Sequence, residues 1–263
     1  DVLGSRGLGD VYKRQVLERE IMNHLFPDTT YGCESGGDPK NIPDLTYENF
    51  LNFHRTYYHP SNSYIYLYGN MDMEEKLAFL DEHYLSHFDY LDVDSVIQEQ
   101  KAFGACQDVT LEYPVAENEG EEDNTYLSYN MVVGNAADSQ MAMAFEVLDY
   151  ALLSAPGAPL KQALLDVKAG KDVYGSYDDG ILQPYFTVIA KGSNPDRKEE
   201  FVSVIRQVLG DIVKNGIDRK AVEAGINYFE FRYREADFSS YPKGLMYSLD
   251  ICLLYTSDAA DDL

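Results

Sequence analysis

The chain has 263 residues, 45% of them apolar and 13% aromatic, and a formal net charge of −24. This composition can bury a sizeable core and excludes a disordered or fibrous protein, and the length predicts two domains. The acidic balance argues against nucleic acid as a partner, and no apolar tract approaches the roughly 18 residues of a membrane span. An acidic protein attracts basic peptides by long-range steering, although simple solubility also explains the charge.

Both ends of the sequence look foreign to the rest. SRGLGDVYKRQ at Ser5–Gln15 matches the translation of a transposase adapter used to build sequencing libraries, and CLLYTSDAADD near the other end matches the companion adapter. We therefore expect residues 1–15 and 252–263 to be adapter sequence, and Val16–Ile251 to be an internal piece of a longer reading frame. Such ends were never selected to fit the fold, so we expect them to pack against neither domain.

The first native stretch predicts helix, loop, helix, strand and helix. Residues 16–26 predict an amphipathic helix, and a second helix over 47–58 carries an aromatic stripe and Thr46 as its N-cap. Tyrosines alternate with aliphatic residues over Tyr64–Tyr68, which predicts a strand. Met73–His87 predicts a further helix with acidic residues in its first turn.

A polar stretch rich in aspartate and glutamine, residues 91–107, predicts a linker between two domains. The sequence after residue 107 predicts pairs of strands that alternate with pairs of helices. The predicted strands are 108–113, 125–133, 172–177 and 185–190, and the predicted helices are 138–154, 160–167, 197–215 and 219–235. This order predicts an α+β fold, an αβ roll in which an antiparallel sheet carries helices on one face.

Candidate metal ligands and nucleophiles are few. His83 and His87 lie four residues apart on a predicted helix, but the glutamate that a zinc peptidase needs between them is missing. His54 and His59 have the wrong spacing and are interpreted as scaffold. Cys33 and Cys106, the native cysteines, have no metal spacing; they indicate a reducing compartment, with the cytoplasm favoured, and a fold without disulfides.

Two long ordered patterns connect the sequence to a known family. The first is YG…SGGDP…IP.LTYE.F..FHR.YYHPSN..IYLYGN.D over Tyr31–Asp72, and the second consists of APGAPL..AL at Ala155–Leu164, G.YD at Gly175–Asp178 and FRYREADFSSYPKGL at Phe231–Leu245. Together they resemble the pitrilysin/insulinase superfamily of zinc metallopeptidases, in its presequence-protease branch. The resemblance covers essentially all of Val16–Ile251.

The resemblance implies a domain plan of the mitochondrial-processing-peptidase type. Residues 16–90 would be the C-terminal part of a first, catalytic-type αβ roll, and residues 108–251 a second, nearly complete roll without a metal site. The family holds zinc through an inverted motif, His-x-x-Glu-His, and a later glutamate, and neither occurs in this sequence. We therefore expect this chain to contain no catalytic, cofactor-binding or metal-binding residues.

Two functions stay open at this point. In the first, the parent protein is a zinc metalloendopeptidase that degrades unfolded peptides inside a closed chamber, and this fragment is inactive alone. In the second, the parent is a non-catalytic scaffold or chamber subunit of the same superfamily. Peptides are the expected partners, and zinc is the expected cofactor of the parent but not of this fragment.

Overall fold

A computed structural model describes residues 2–34, 36–115, 120–235, 238 and 240–258 of the chain, with side chains between Lys13 and Cys252 apart from Asp250. These residues form two compact units. The sheet unit contains the residues up to Cys33 and those from Glu99 to Glu235, and the aromatic unit contains Glu34–Gln98 and the residues from Phe238 onward. Each unit is described by itself.

Three strands of the sheet unit form one antiparallel sheet within the described residues. They are β1 (Thr125–Val132), β2 (Asp172–Asp178) and β3 (Tyr185–Ser193), and β3 lies in the centre in the order β1-β3-β2. Residues 186–190 of the central strand β3 are buried on both faces of the sheet, whereas the outer strands β1 and β2 are buried in part. The three strands confirm the sequence prediction to within a few residues.

Helices cover one face of this sheet. They are α4 (Ser139–Asp149), which continues into a π-helical turn at Tyr150–Ser154, then α5 (Pro159–Asp166) and α6 (Lys198–Asn215). A further helix, α7 (Arg219–Glu235), packs on α4 and the π-helical turn. The core between sheet and helices contains side chains with almost no solvent exposure, namely Leu160, Leu164, Val173, Val188, Phe201 and Ile205. The predicted α+β architecture is confirmed.

Residues at the helix ends fix where several helices begin and end. Asp138 caps α4, its side chain accepting a hydrogen bond from Met141 N, and α6 ends at Gly216 with φ of 87°. In the aromatic unit Thr46 caps α2 (Tyr47–Tyr57) by accepting from Asn49 N. These caps explain why the helix starts were readable from sequence, since a cap is a contact between near neighbours in the chain.

The first helix, α1 (Val2–Leu25), begins well before the predicted residue 16. Lys13 is buried, and its Nζ lies 3.4 Å from Asn124 Oδ1 at the start of β1. Lys13 thus departs from the expectation that residues 1–15 pack against nothing. The side chains of Tyr12 and Leu254, which would test that expectation further, lie outside the described residues.

The aromatic unit contains α2, α3 (Met73–His83) and α8 (Lys243–Asp258). Two predictions for it are wrong. Tyr64–Tyr68 is not a strand, because no described segment pairs with it and a lone strand gains no ladder hydrogen bonds. The helix predicted to His87 ends at His83, because Tyr84 leaves helical geometry with φ of −139° and Leu85–His87 forms a separate 3-10 turn.

The strand predicted at 108–113 is also absent from the described sheet. Side chains rather than backbone hold this stretch, since Lys198 binds Asp108 and the Tyr113 hydroxyl donates to Asn124 O. Among the described strands β1 pairs with β3 only, and residues 108–113 add no further strand beside it. No helix in the described part of the chain is long and apolar enough to cross a membrane.

Candidate functional site

The face of the sheet that points away from the core helices carries a row of short polar side chains. The strand register places Asn130 of β1, Thr187 of β3 and Ser176 of β2 directly opposite one another. Side chains alternate between the two faces along a strand, and the core residues Val173, Phe186 and Val188 point toward the helices. Asn130, Thr187 and Ser176 therefore lie on the face away from the core. With Ser128, two residues before Asn130, they form what we call the polar row.

Hydrogen bonds run along the polar row. Ser176 Oγ and Thr187 Oγ1 are 3.2 Å apart, and Asn130 Nδ2 donates to Ser128 Oγ over 3.0 Å. Asn130 Oδ1 is buried without a hydrogen-bond partner in the structure. Since a buried acceptor without a donor is costly, this oxygen can accept a further hydrogen bond.

A tyrosine and an aspartate flank the polar row on one side. The Tyr185 hydroxyl donates to Asp178 Oδ2 over 3.2 Å. Burial, the Asp178 charge and this hydrogen bond all raise the pKa of Tyr185. The tyrosine is therefore a neutral donor across the physiological range and presents no charge to the row.

At the other end of the same sheet, a cleft of about 210 Å³ opens between the strand ends. Its lining includes Lys171, Lys191 and Gly192 together with Asp123 and Asn124. Asp123 adopts φ of 57°, which is uncommon for a residue with a side chain. This end of the sheet is therefore charged, in contrast to the uncharged polar row.

Asp123 is held by two partners. Its N–H donates to Asn194 Oδ1 and its Oδ1 accepts from Asn194 Nδ2, each over 2.8 Å, while Lys171 Nζ lies 3.2 Å from Oδ2. The Asn194 hydrogen bond, followed by the Lys171 hydrogen bond, lowers the pKa of Asp123. The carboxylate is therefore ionised at neutral pH and is committed to Asn194 and Lys171.

Helix α1 lies along this second face of the sheet. The Phe26 side chain that follows it is fully buried, and its ring contacts Tyr185 edge-on at 6.1 Å between centroids. Lys13, in the middle of α1, contacts Asn124. Ser176 nevertheless remains exposed, because β2 is an edge strand of the sheet. Solvent therefore has access to the polar row at its Ser176 end.

The histidines singled out from sequence are not brought together. His83 ends α3 with its ring 4.6 Å from that of Phe79, and His87 lies in the following 3-10 turn. His54 stacks on Tyr58 at 4.8 Å, and His59 Nδ1 accepts a hydrogen bond from Ser61 N. The contacts of His54 and His59 agree with the scaffold interpretation made from sequence.

The described residues do not fit a zinc site. No three side chains of His, Cys, Asp or Glu among them lie close enough to hold one metal ion. Because His83 and His87 fall in different helical elements, they do not share a helix face as two zinc ligands would. That the whole chain lacks catalytic, cofactor and metal residues stays a prediction.

Sequence reasoning missed the polar row. Part of it could have been found, because Ser128 and Asn130 lie two residues apart in one predicted strand and so share a face, and Ser176 lies in another predicted strand. The pairing of Asn130 with Thr187 and Ser176 depends on strand register, which no local pattern specified.

The architecture is that of M16-like peptidases. An M16-like peptidase from Alicyclobacillus acidocaldarius superposes with a TM-score of 0.61 at 16% identity, covering 96% of this chain and 58% of that one. A protease from Helicobacter pylori superposes with a TM-score of 0.54 at 17% identity, covering 86% and 55%. At these identities the likeness concerns the fold alone.

Residues 44–229, more than half of the chain, match the family described as "Peptidase M16 inactive domain". The chain therefore belongs to the M16 peptidase family, which confirms the predicted pitrilysin/insulinase membership. Protein HypA of Clostridium perfringens is 47% identical over 90% of this chain and 24% of its own length. Presequence protease 1 of Arabidopsis thaliana is 36% identical over 88% and 22%. The chain thus spans about a quarter of the length of these curated relatives.

Proposed function

We propose that this chain is a non-catalytic part of a zinc-dependent metalloendopeptidase that degrades unfolded peptides inside a closed chamber. The observation that carries the proposal is the match of residues 44–229 to the inactive domain of the M16 family. Relatives that bear the name presequence protease support peptides as the substrates. Their greater length supports a parent protein whose catalytic residues lie outside this sequence.

The polar row supplies a surface suited to this role. Ser176 is exposed and Ser128 and Asn130 are half-buried, and these short, uncharged side chains can bond to the main chain of any peptide without selecting its side chains. Thr187 is buried between them and bonds to Ser176. A wall built this way tolerates many sequences. We propose that this face of the sheet is directed toward the bound peptide in the parent.

In this proposal the chain contributes no chemistry of its own. Peptide hydrolysis by a zinc enzyme needs three protein ligands and a glutamate that takes a proton from the bound water. The described residues offer no such cluster. We therefore expect neither tight stoichiometric zinc binding nor peptidase activity from this polypeptide alone.

The test is a quenched fluorescent peptide assay on two proteins, this chain and the full-length parent, each with and without a chelator. The parent should cleave unstructured peptides and lose that activity to the chelator, and this chain should be inactive in both conditions. Zinc-dependent turnover by this chain alone would overturn the assignment of a non-catalytic role. A parent without chelator-sensitive cleavage would favour a scaffold or chamber subunit.

A further inference from the structure

The cleft at the charged end of the sheet collects positive side chains. Three lysines line it, Lys13, Lys171 and Lys191, together with two aspartates, Asp123 and Asp172. Three positive and two negative side chains leave this lining with a formal charge of +1, in a chain whose formal net charge is −24. An anion therefore meets less repulsion in the cleft than the charge of the whole chain would produce.

The cleft is small. Its volume of about 210 Å³ lies below the roughly 300–1,000 Å³ of pockets that enclose drug-sized ligands. Most of its lining comes from residues at or just before the starts of β1 and β2 and from the end of β3. It has room for one small group and not for a whole peptide or nucleotide.

A β-bulge shapes one wall of the cleft. The register between β1 and β3 skips Gly192, so this glycine is an extra residue in β3. It adopts φ of 68°, a left-handed conformation that favours glycine. A Cβ at this position would lie 3.0 Å from both Cβ and Cδ of Lys171, so a larger residue would displace the lysine stem. The glycine thus helps to fix how Lys171 enters the cleft.

The backbone holds Lys171 and Lys191 together. The N–H of Lys171 donates to Lys191 O over 2.8 Å and to Gly192 O over 3.3 Å. The two lysines are therefore neighbours through their main chains, and both side chains line the cleft. Two like charges in one small cleft repel each other, and an anion between them offsets that repulsion.

Lys171 has donors to spare for such an anion. An ammonium group has three N–H donors, and Lys171 directs one of them to Asp123, whose Oδ2 lies 3.2 Å away. Asn194 also binds Asp123, so the aspartate stays in place when Lys171 takes a second partner. Asp172 lies 3.9 Å from Lys161. Each aspartate in the lining thus has a cation beside it.

We propose that this cleft binds a small oxyanion, a phosphate or the carboxylate at the end of a chain, between Lys171 and Lys191. Lysine acts toward such groups as a point charge. Lys13 lies in the segment interpreted as adapter and its Nζ contacts Asn124, so the site is assigned to the two lysines of the native stretch. The inference goes beyond the proposed function, because an anion site needs no peptidase activity.

Isothermal titration calorimetry of the full chain with sodium phosphate, at constant ionic strength, tests the site. Lys171→Met and Lys191→Met each remove one ammonium group but keep an unbranched stem, and each should weaken phosphate binding at least about tenfold. Lys220→Met is the matched control, since Lys220 is exposed on α7 and does not line the cleft. It should change the affinity by less than about twofold.

Lys13→Met separates the native site from one that depends on the adapter segment. It should weaken binding less than Lys191→Met does, and an equal or larger loss would overturn the assignment to Lys171 and Lys191.

Acetyl-alanyl-alanine and its C-terminal amide identify the source of the oxyanion. Saturable binding of the acid but not of the amide would assign the cleft to a chain end, and binding of phosphate alone would assign it to free phosphate. Either result supports the site. No saturable binding of phosphate or of the acid, or equal effects of Lys191→Met and Lys220→Met, would overturn the proposal.

Discussion

Gln100 and Gln183 bind each other in both directions. The backbone N–H of Gln100 donates to Gln183 Oε1 over 2.6 Å, and Gln183 Nε2 donates back to Gln100 O over 3.2 Å. Gln100 is itself buried, and its side chain also bonds to Asp28. Gln100 thus joins the stretch predicted as a linker, residues 91–107, both to the end of α1 and to the connection between β2 and β3.

The first prediction concerns this pair. Gln183→Ala leaves both backbone groups of Gln100 without their partner, and it should lower the free energy of unfolding by about 1–3 kcal/mol. Urea denaturation followed by circular dichroism measures the loss. Gln107→Ala is the matched control, since Gln107 is exposed and its side chain donates to Ala105 O, only two residues away. Equal stability of the two variants would show that the pair contributes nothing.

The second prediction compares two glycines. A Cβ on Gly175 of β2 would lie 2.2 Å from Thr187 O and 2.5 Å from Leu153 Cδ1, so Gly175→Ala should cost about 1–3 kcal/mol of stability. Gly210 lies inside α6 with nothing within 4 Å of an added Cβ. Gly210→Ala should therefore stabilise the protein by about 0.5–1 kcal/mol. Urea midpoints that move in the same direction for both would refute the close approach at Gly175.

The third prediction concerns high pH. Burial, followed by nearby carboxylates of which Asp179 has the largest effect, raises the pKa of Tyr177 to about 12. A raised tyrosine pKa means that the folded state favours the neutral phenol, so this stabilisation is complete below the unfolded pKa of roughly 10 and is lost as pH rises toward about 12.

The measurement for Tyr177 is the urea midpoint as a function of pH. Tyr177→Phe keeps the ring that stacks on Phe145 at 5.4 Å but removes the titrating hydroxyl. The variant should lose less stability than the parent chain between pH of about 10 and 12. An unchanged pH dependence would show that Tyr177 ionises in the folded state as readily as in the unfolded state.

The fourth prediction concerns Asp149, which ends α4. Burial raises its pKa, a hydrogen bond with Ser154 opposes that effect, and its Oδ1 is buried without a partner. Because the folded pKa is raised, the protonated form is favoured by folding, and ionised Asp149 opposes folding at neutral pH. Asp149→Asn should therefore raise stability at pH of about 7, and the gain should shrink as pH falls through the carboxylate range near 4.

Thermal and urea unfolding of the Asp149→Asn variant at several pH values measure this gain. The control is Asp211→Asn on α6, an exposed position with the same change in net charge. If both variants gain equally, the effect is general charge repulsion in an acidic chain rather than burial of Asp149.

Sequence by itself determined the features that near neighbours in the chain decide. Asp138 capping α4 and Gly216 ending α6 are contacts within a few residues, so their residue types specify them. The residue types of β1, β2 and β3 predicted these strands, and the motifs predicted the M16 family that the inactive-domain match confirms.

Tertiary structure alone decided which segments meet. Tyr64–Tyr68 has a strand pattern as strong as that of β1, yet it forms no strand in the described chain because a strand gains its hydrogen bonds only from a partner. The polar row exists only because the register places Asn130 beside Thr187 and Ser176. Likewise, α1 lies along the second face of the sheet through Phe26 and Lys13, contacts that join residues roughly a hundred or more positions apart and so leave no local trace in the sequence.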